Sequence, residues 1–131
     1  MAWGPAAIWA AVLFLLSELP PEDIPGGWAF GDKVAHLGAY FVLGATLAWA
    51  ALRVRRGRGV FFVFLGVLYG ATDELHQAFV PGRDPSVGDW MADVAGVLMG
   101  FLLLRFFLSA WVPGAPGNPN RNARDEHDLS V

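Results

Sequence analysis

Residues 59–80 read GVFFVFLGVLYGATDELHQAFV, and the change of character at Thr72 decides what kind of fold the chain can adopt. Up to Ala71 the stretch is apolar on every side. From Thr72 it turns polar, with Asp73, Glu74, His76 and Gln77 crowded into one and a half helical turns. A core helix of a soluble protein carries its polar residues as a stripe along the whole length. Polarity gathered at one end describes a helix surrounded by lipid whose tip reaches an interface. Residues 87–112 repeat the pattern in mirror image, with Asp89 and Asp93 first and an apolar run after them broken only by Arg105. Residues 34–52 are apolar apart from His36, Tyr40, Thr46 and glycines, and residues 3–19 carry no charge until Glu18. A bilayer core is crossed by about 20 helical residues. The last three segments reach that length and the first is slightly short. The expectation is an all-α fold, an integral membrane bundle of four transmembrane helices over about 3–19, 34–52, 59–80 and 87–112, in one domain spanning 1–112.

Composition agrees. Of 131 residues 55% are hydrophobic and only 16% charged, with a mean hydropathy of +0.44, whereas soluble domains run near a quarter charged. Cysteine is absent, which removes disulfide and thiolate chemistry. The first segment lacks the basic leader and the small-x-small site of a cleaved signal peptide, so an uncleaved helix stopping at Pro20 and Pro21 is expected.

The connections set an orientation. Arg53, Arg55, Arg56 and Arg58 join the second and third segments and make up four of the nine basic residues. The positive-inside rule puts them in the cytoplasm. Four crossings then place the chain in the cell membrane as a multi-pass protein with both termini cytoplasmic, Arg121 and Arg124 on the inner tail, and only Lys33 and Arg83 outside. Nine of the twelve acids (Glu18, Glu22, Asp23, Asp32, Asp73, Glu74, Asp84, Asp89 and Asp93) fall on that outer side. Residues 113–131, rich in Pro, Gly and Asn, read as a disordered cytoplasmic tail.

This topology brings polar residues from three segments to similar depth. At 1.5 Å per residue, Tyr40, Asp73 and Asp93 lie roughly 10 Å below the outer helix ends. Above them come His36, His76, Gln77 and Asp89, then Asp32, Lys33, Arg83 and Asp84, so that an outward-facing polar funnel is expected. Lys33, His36 and Tyr40 share one face of the second helix. Tyr69, Asp73, His76 and Gln77 share one with Gly66 and Gly70 on the third, and Asp89, Asp93, Gly96 and Gly100 form a stripe on the fourth. Small residues in the same stripes point to helix packing. Simpler roles compete: Asp32 as a cap, Ser86 to Asp89 as a capping box, Pro81 and Gly82 as a turn, Arg105 as a snorkelling side chain, and Thr72 and Ser17 as donors to backbone carbonyls. The whole cluster also reads as a structural ionic network.

In three blocks, DKVAHLGAY (32–40), YGATDELHQAFVPGRD (69–84) and SVGDWMADVAG (86–96), together with LSELP (16–20), the chain resembles the VanZ-like family of small bacterial membrane proteins. The resemblance covers most of residues 12–108. It implies as motif and ligand-binding residues Lys33, His36, Tyr40, Asp73, Glu74, Gln77, Arg83, Asp89 and Asp93. The family takes its name from a protein associated with resistance to teicoplanin, a glycopeptide that acts outside the membrane on cell-wall precursors, and an outward funnel fits that setting.

Three functions are open. The funnel could bind a cell-envelope lipid, a lipid-linked precursor or a lipopeptide or glycopeptide head group, with Arg83 and Lys33 on phosphate or carboxylate and Tyr40 and Gln77 donating hydrogen bonds. It could be a membrane enzyme, with Asp73, Glu74, His36 and His76 as catalytic candidates for acid–base work, alone or around a divalent cation. The H-E-x-x-H spacing is missing, and no serine sits in a nucleophile-elbow context, so no metal or cofactor is assigned. Ion transport is disfavoured because no titratable chain continues inward. A nucleic-acid partner is excluded, since the basic residues form one short loop that topology explains.

Overall fold

The computed structural model describes residues 2–19, 31–54 and 59–111, and these form four helices with no strand among them. They are α1 (Gly4–Ser17), α2 (Gly31–Arg53), α3 (Gly59–Gln77) and α4 (Val87–Trp111). The expected stop at Pro20 and Pro21, the acids Glu22 and Asp23, the arginines at 55, 56 and 58, and the tail from 113 with Arg121 and Arg124 lie outside the described residues. Helices α2 and α4 are long and apolar enough to cross a membrane. The 14 residues of α1 cover only about 21 Å at 1.5 Å per residue. α3 ends at Gln77, three residues before the expected 80, because Ala78 to Gly82 turn away. The N–H groups of Phe79, Val80 and Arg83 reach back to carbonyls three residues earlier, and Gly82 takes φ 80°. α2 starts earlier than expected, at Gly31, with Asp32 in its first turn where a negative charge meets the positive helix end.

The helices alternate in direction. The ends of α1 and α3 and the starts of α2 and α4 therefore meet at one end of the bundle, called here the polar end. The most extensive pairing is α2 with α4; α3 packs on both and α1 lies on α2 and α3, not on α4. Gly96 and Gly100 make the α2–α4 pairing possible. A Cβ on Gly96 would lie 2.5 Å from the Leu37 carbonyl oxygen, and one on Gly100 would overlap that of Phe41. Bare backbone is thus laid against backbone, as in small-xxx-small helix pairs of membrane proteins. Beneath that seam Leu43, Leu47, Phe62, Val97 and Phe101 form the buried apolar core.

α1 is tied on by side chains that donate to carbonyls. Trp9 Nε1 donates to the Ala39 carbonyl at 2.8 Å, and the Tyr69 hydroxyl donates to that of Ala10 at 2.6 Å. Trp3 stacks on Phe62 with ring centroids 4.8 Å apart. Ser17 and Thr72 donate to carbonyls three residues back, at 2.9 and 2.7 Å, the simple role expected of them.

The exterior inverts the usual soluble pattern. Phe61, Phe64, Phe79, Met91, Leu102 and Phe106 are exposed, while His36, Asp73, Glu74, Gln77, Asp89 and Asp93 are buried. So many exposed large apolar side chains around buried ionisable ones suit contact with a non-aqueous partner.

Candidate functional site

Two helix starts and one helix end build the site. Lys33, in the first turn of α2, is exposed and forms an ion pair with buried Asp89 in the first turn of α4. Ser86 caps α4: its Oγ accepts from the Gly88 N–H at 3.2 Å, and its carbonyl accepts from Asp89 and Trp90. In a capping box the acid three residues on would accept the Ser86 N–H. Here that N–H donates instead to Glu74 Oε2, across from α3, at 2.9 Å. The exchange leaves Asp89 to Lys33 and pins Glu74 over the start of α4.

One turn deeper, His36 Nδ1 lies 2.8 Å from Asp93 Oδ1 and 3.9 Å from Glu74 Oε1, while its Nε2 faces Asp32 Oδ1 at 3.8 Å. The 2.8 Å contact is a hydrogen bond that needs a proton between nitrogen and carboxylate; the other two are ion-pair distances. At the floor the Tyr40 hydroxyl and Gln77 Nε2 both donate to Asp73 Oδ2, at 3.0 and 3.3 Å. Gly70 makes room for this layer, since a Cβ there would stand 3.1 Å from Asp93 Cβ and 3.4 Å from the Tyr40 ring. Exposure falls steadily with depth: the Lys33 side chain is 53% exposed, His36 9% and Asp93 0%.

Buried polar atoms in folded proteins are nearly always paired. Three among the described residues have no hydrogen-bond partner, His76 Nε2 beside α1 and, within the cluster, Glu74 Oε1 and Asp93 Oδ2. Among the described residues, no Lys or Arg forms an ion pair with Asp73, Glu74 or Asp93. The interior is therefore rich in carboxylates and poor in cations. Chemically it can hold a cation, share protons between His36 and its neighbours, and offer the Lys33 ammonium at its rim.

Lys33, His36, Tyr40, Asp73, Glu74, Gln77, Asp89 and Asp93 are thus brought together. Two expected members are not. His76 points toward α1, with Nε2 2.9 Å from Glu18 Oε1 and its ring 4.9 Å from that of Phe14. Arg83 donates from Nε and Nη2 to the Leu19 carbonyl, at 3.3 and 3.2 Å, and so closes the end of α1. The helical period explains the first. Gly66, Gly70, Asp73, Glu74 and Gln77 recur at i, i+4, i+7, i+8 and i+11 and form the buried stripe of α3. Tyr69 and His76 lie on its α1 edge. Glu74 therefore takes the place in the stripe that residue spacing suggests for His76. Asp32, read from the sequence both as a cap and as part of the funnel mouth, faces His36 Nε2 from the first turn of α2.

The described residues are helical throughout the four elements, and an apolar exterior, a carboxylate-rich interior at one end and two helices long and apolar enough to cross a membrane suit the class of small helical membrane proteins. More particularly, the chain belongs to the VanZ/LLP1 family, whose profile matches residues 4–108. No curated protein and no solved structure matches it.

Proposed function

We propose that this protein is an envelope component crossing the cell membrane four times with both termini in the cytoplasm. Its polar end faces outward and binds the head group of an envelope lipid, a lipid-linked precursor, or a lipopeptide or glycopeptide. The observation that carries this reading is the graded polar interior beneath an apolar exterior. A carboxylate costs about 2.5–3.5 kcal/mol at the centre of a membrane helix on insertion scales and less toward its ends, and such groups mark ligand or ion paths by default. Four of them are buried here: Asp73, Glu74, Asp89 and Asp93. Lys33 at the rim is the contact for an anionic group, and Arg83, engaged with α1, braces that edge. A crossing as short as α1 is accommodated by local thinning of the bilayer.

A second reading, a membrane enzyme, is favoured by the His36–Asp93 contact beside Glu74, which resembles the base and orienting acid of a general acid–base pair. Among the described residues no free hydroxyl enters the cluster: Ser17, Thr46, Thr72 and Ser109 donate within their own helices, and Ser86 caps α4. The enzyme reading therefore takes water, or a carboxylate or imidazole of the cluster, as nucleophile and not a hydroxyl.

Native mass spectrometry of the chain released from membranes in mild detergent tests both. Head-group binding predicts a lipid adduct on the wild type that is lost in Asp73→Asn at unchanged melting temperature. A chemically altered lipid, formed by the wild type and not by Asp93→Asn, would establish the enzyme. A folded wild type that carries no adduct even when mixed with envelope lipid overturns head-group binding. For topology, a reporter fused after Val131 is expected to read cytoplasmic.

A further inference from the structure

We infer that His36, Glu74 and Asp93 hold one divalent transition-metal ion. Nδ1 of His36, one oxygen of Glu74 and one of Asp93 lie within 4.8 Å of one another, and all three residues are buried. Proximity of acids alone would not suffice. What points to an ion is that Glu74 Oε1, on a buried residue and facing His36 Nδ1, has no donor, while Asp93 meets the same nitrogen through Oδ1 on a side chain with no exposure at all. An unpaired carboxylate oxygen sealed from water is destabilising unless a proton or a cation occupies it.

The spacing suits a small ion. Ligands at about 2.0–2.1 Å from tetrahedral zinc stand roughly 3.3 Å apart, and the two separations from His36 Nδ1, 2.8 Å to Asp93 and 3.9 Å to Glu74, bracket that edge. The ion would take the place of the proton held between His36 and Asp93, with Glu74 Oε1 turning in as the third ligand. The surroundings resemble those of known metal ligands. A coordinating histidine usually presents its other nitrogen to a carboxylate, and His36 Nε2 faces Asp32. Glu74 is held by the Ser86 N–H through the oxygen that does not face His36, which leaves Oε1 free to coordinate. Asp73, by contrast, is occupied by Tyr40 and Gln77 and stays outside the set. One imidazole and two carboxylates without thiolate favour Zn²⁺, Mn²⁺ or Fe²⁺ over Ca²⁺ or Mg²⁺. Three protein ligands leave a coordination position open. The ion would then supply the positive charge that a phosphate group needs in an otherwise acidic site. That role rests on the head-group reading above; the ion site itself rests only on these side chains.

The full chain in detergent, stripped with a chelator and dialysed, is titrated with Zn²⁺, Mn²⁺ and Mg²⁺ and its bound metal counted by elemental analysis. Co²⁺ serves as an optical probe of the ligand set. Wild type is expected to retain about one Zn²⁺ or Mn²⁺ per chain and no Mg²⁺, and to give a tetrahedral or five-coordinate Co²⁺ spectrum. Glu74→Gln and Asp93→Asn, close in shape to the native residues, are expected to weaken binding at least ~100-fold, while His76→Ala and Arg83→Ala retain it. Folded wild type that holds neither Zn²⁺ nor Mn²⁺ overturns the inference, even where a variant fails to fold. So do folded Glu74→Gln and Asp93→Asn variants that bind as wild type does. Native mass spectrometry separates the two ideas by mass: a lipid adduct without metal leaves head-group binding standing and removes the ion, and metal without lipid does the reverse.

Discussion

The same two helices, α2 and α4, are joined by opposite means at different heights. In the middle of the bundle the join is backbone on backbone, with Gly96 and Gly100 against Leu37 and Phe41 and no side chain between. At the polar end it is made by ionisable side chains, Lys33 with Asp89 and His36 with Asp93. Glycine seams suit a lipid environment, where apolar burial does not drive helices together and close packing must. Ionic joins are a poor way to gain stability, because desolvation offsets most of the attraction. A chain that already has the first solution gains little stability from the second, and on that difference the functional and the structural readings of the polar end divide.

The largest expected effect comes from breaking the seam. Gly100→Val puts two methyl groups where one carbon already overlaps the Phe41 carbonyl. Neither helix can yield without separating the pair. Overpacking of a core costs about 1–3 kcal/mol where side chains can adjust, and here the obstacle is backbone, so a loss of about 3 kcal/mol or more is expected. Unfolding by denaturing detergent, or the yield of folded protein from membranes, would register it. A Gly100→Val variant of wild-type stability would mean that α2 and α4 are further apart than described.

The next effect separates ionic glue from a binding group. Removing one partner of a buried charged pair costs about 3–5 kcal/mol at most, whereas replacing both by apolar residues of similar size is often neutral or favourable. His36→Leu combined with Asp93→Leu is therefore expected to unfold at or above the wild-type midpoint, with each single change less stable than the pair. It should also lose ligand retention completely. If the double variant were the least stable of the three, the cluster would be structural and the functional reading would fail.

How much of this was legible in the sequence follows the physics of each feature. Helix number and approximate position were readable because apolar runs of that length, with polarity only at their tips, suit a lipid-facing helix and little else. The Asp89, Asp93, Gly96 and Gly100 stripe was readable because helical period alone orders it. The partners of Arg83 and His76 were not readable. Both depend on where α1 comes to rest, and α1 is an apolar helix with no internal feature that fixes its neighbours; Trp9 and Tyr69 tie it down through backbone carbonyls that carry no sequence mark. The Ser86 to Asp89 capping box was half right. The serine caps, but the reciprocal acid comes from Glu74, twelve residues earlier, and only the tertiary fold brings the two together.

A smaller change tests the floor of the cluster. Tyr40→Phe removes the hydroxyl donating to Asp73 and leaves the ring, and Gln77 still donates to the same oxygen. Hydrogen bonds between membrane helices average about 0.6 kcal/mol, so the expected loss of stability is of that order. Ligand retention should fall further than stability does if Asp73 is a binding group whose orientation Tyr40 maintains.

The smallest effect is expected at Arg83, and it bears on the comparison because this residue belongs to neither join. Its guanidinium closes α1 by donating to the Leu19 carbonyl from a partly exposed position, a contact worth about 0.5 kcal/mol or less by analogy with exposed charged groups. Arg83→Ala should therefore leave the unfolding midpoint almost unchanged, with any loss confined to α1 and visible as faster hydrogen exchange in residues 10–19. Head-group retention should fall by a few-fold at most. A collapse of retention at wild-type stability would instead move Arg83 off the α1 carbonyl and into contact with the ligand, extending the binding surface across the turn between α3 and α4. Arg83→Lys distinguishes the outcomes further: lysine keeps the charge but not the two-nitrogen fork, so it should restore an electrostatic contact with ligand and not the closure of α1.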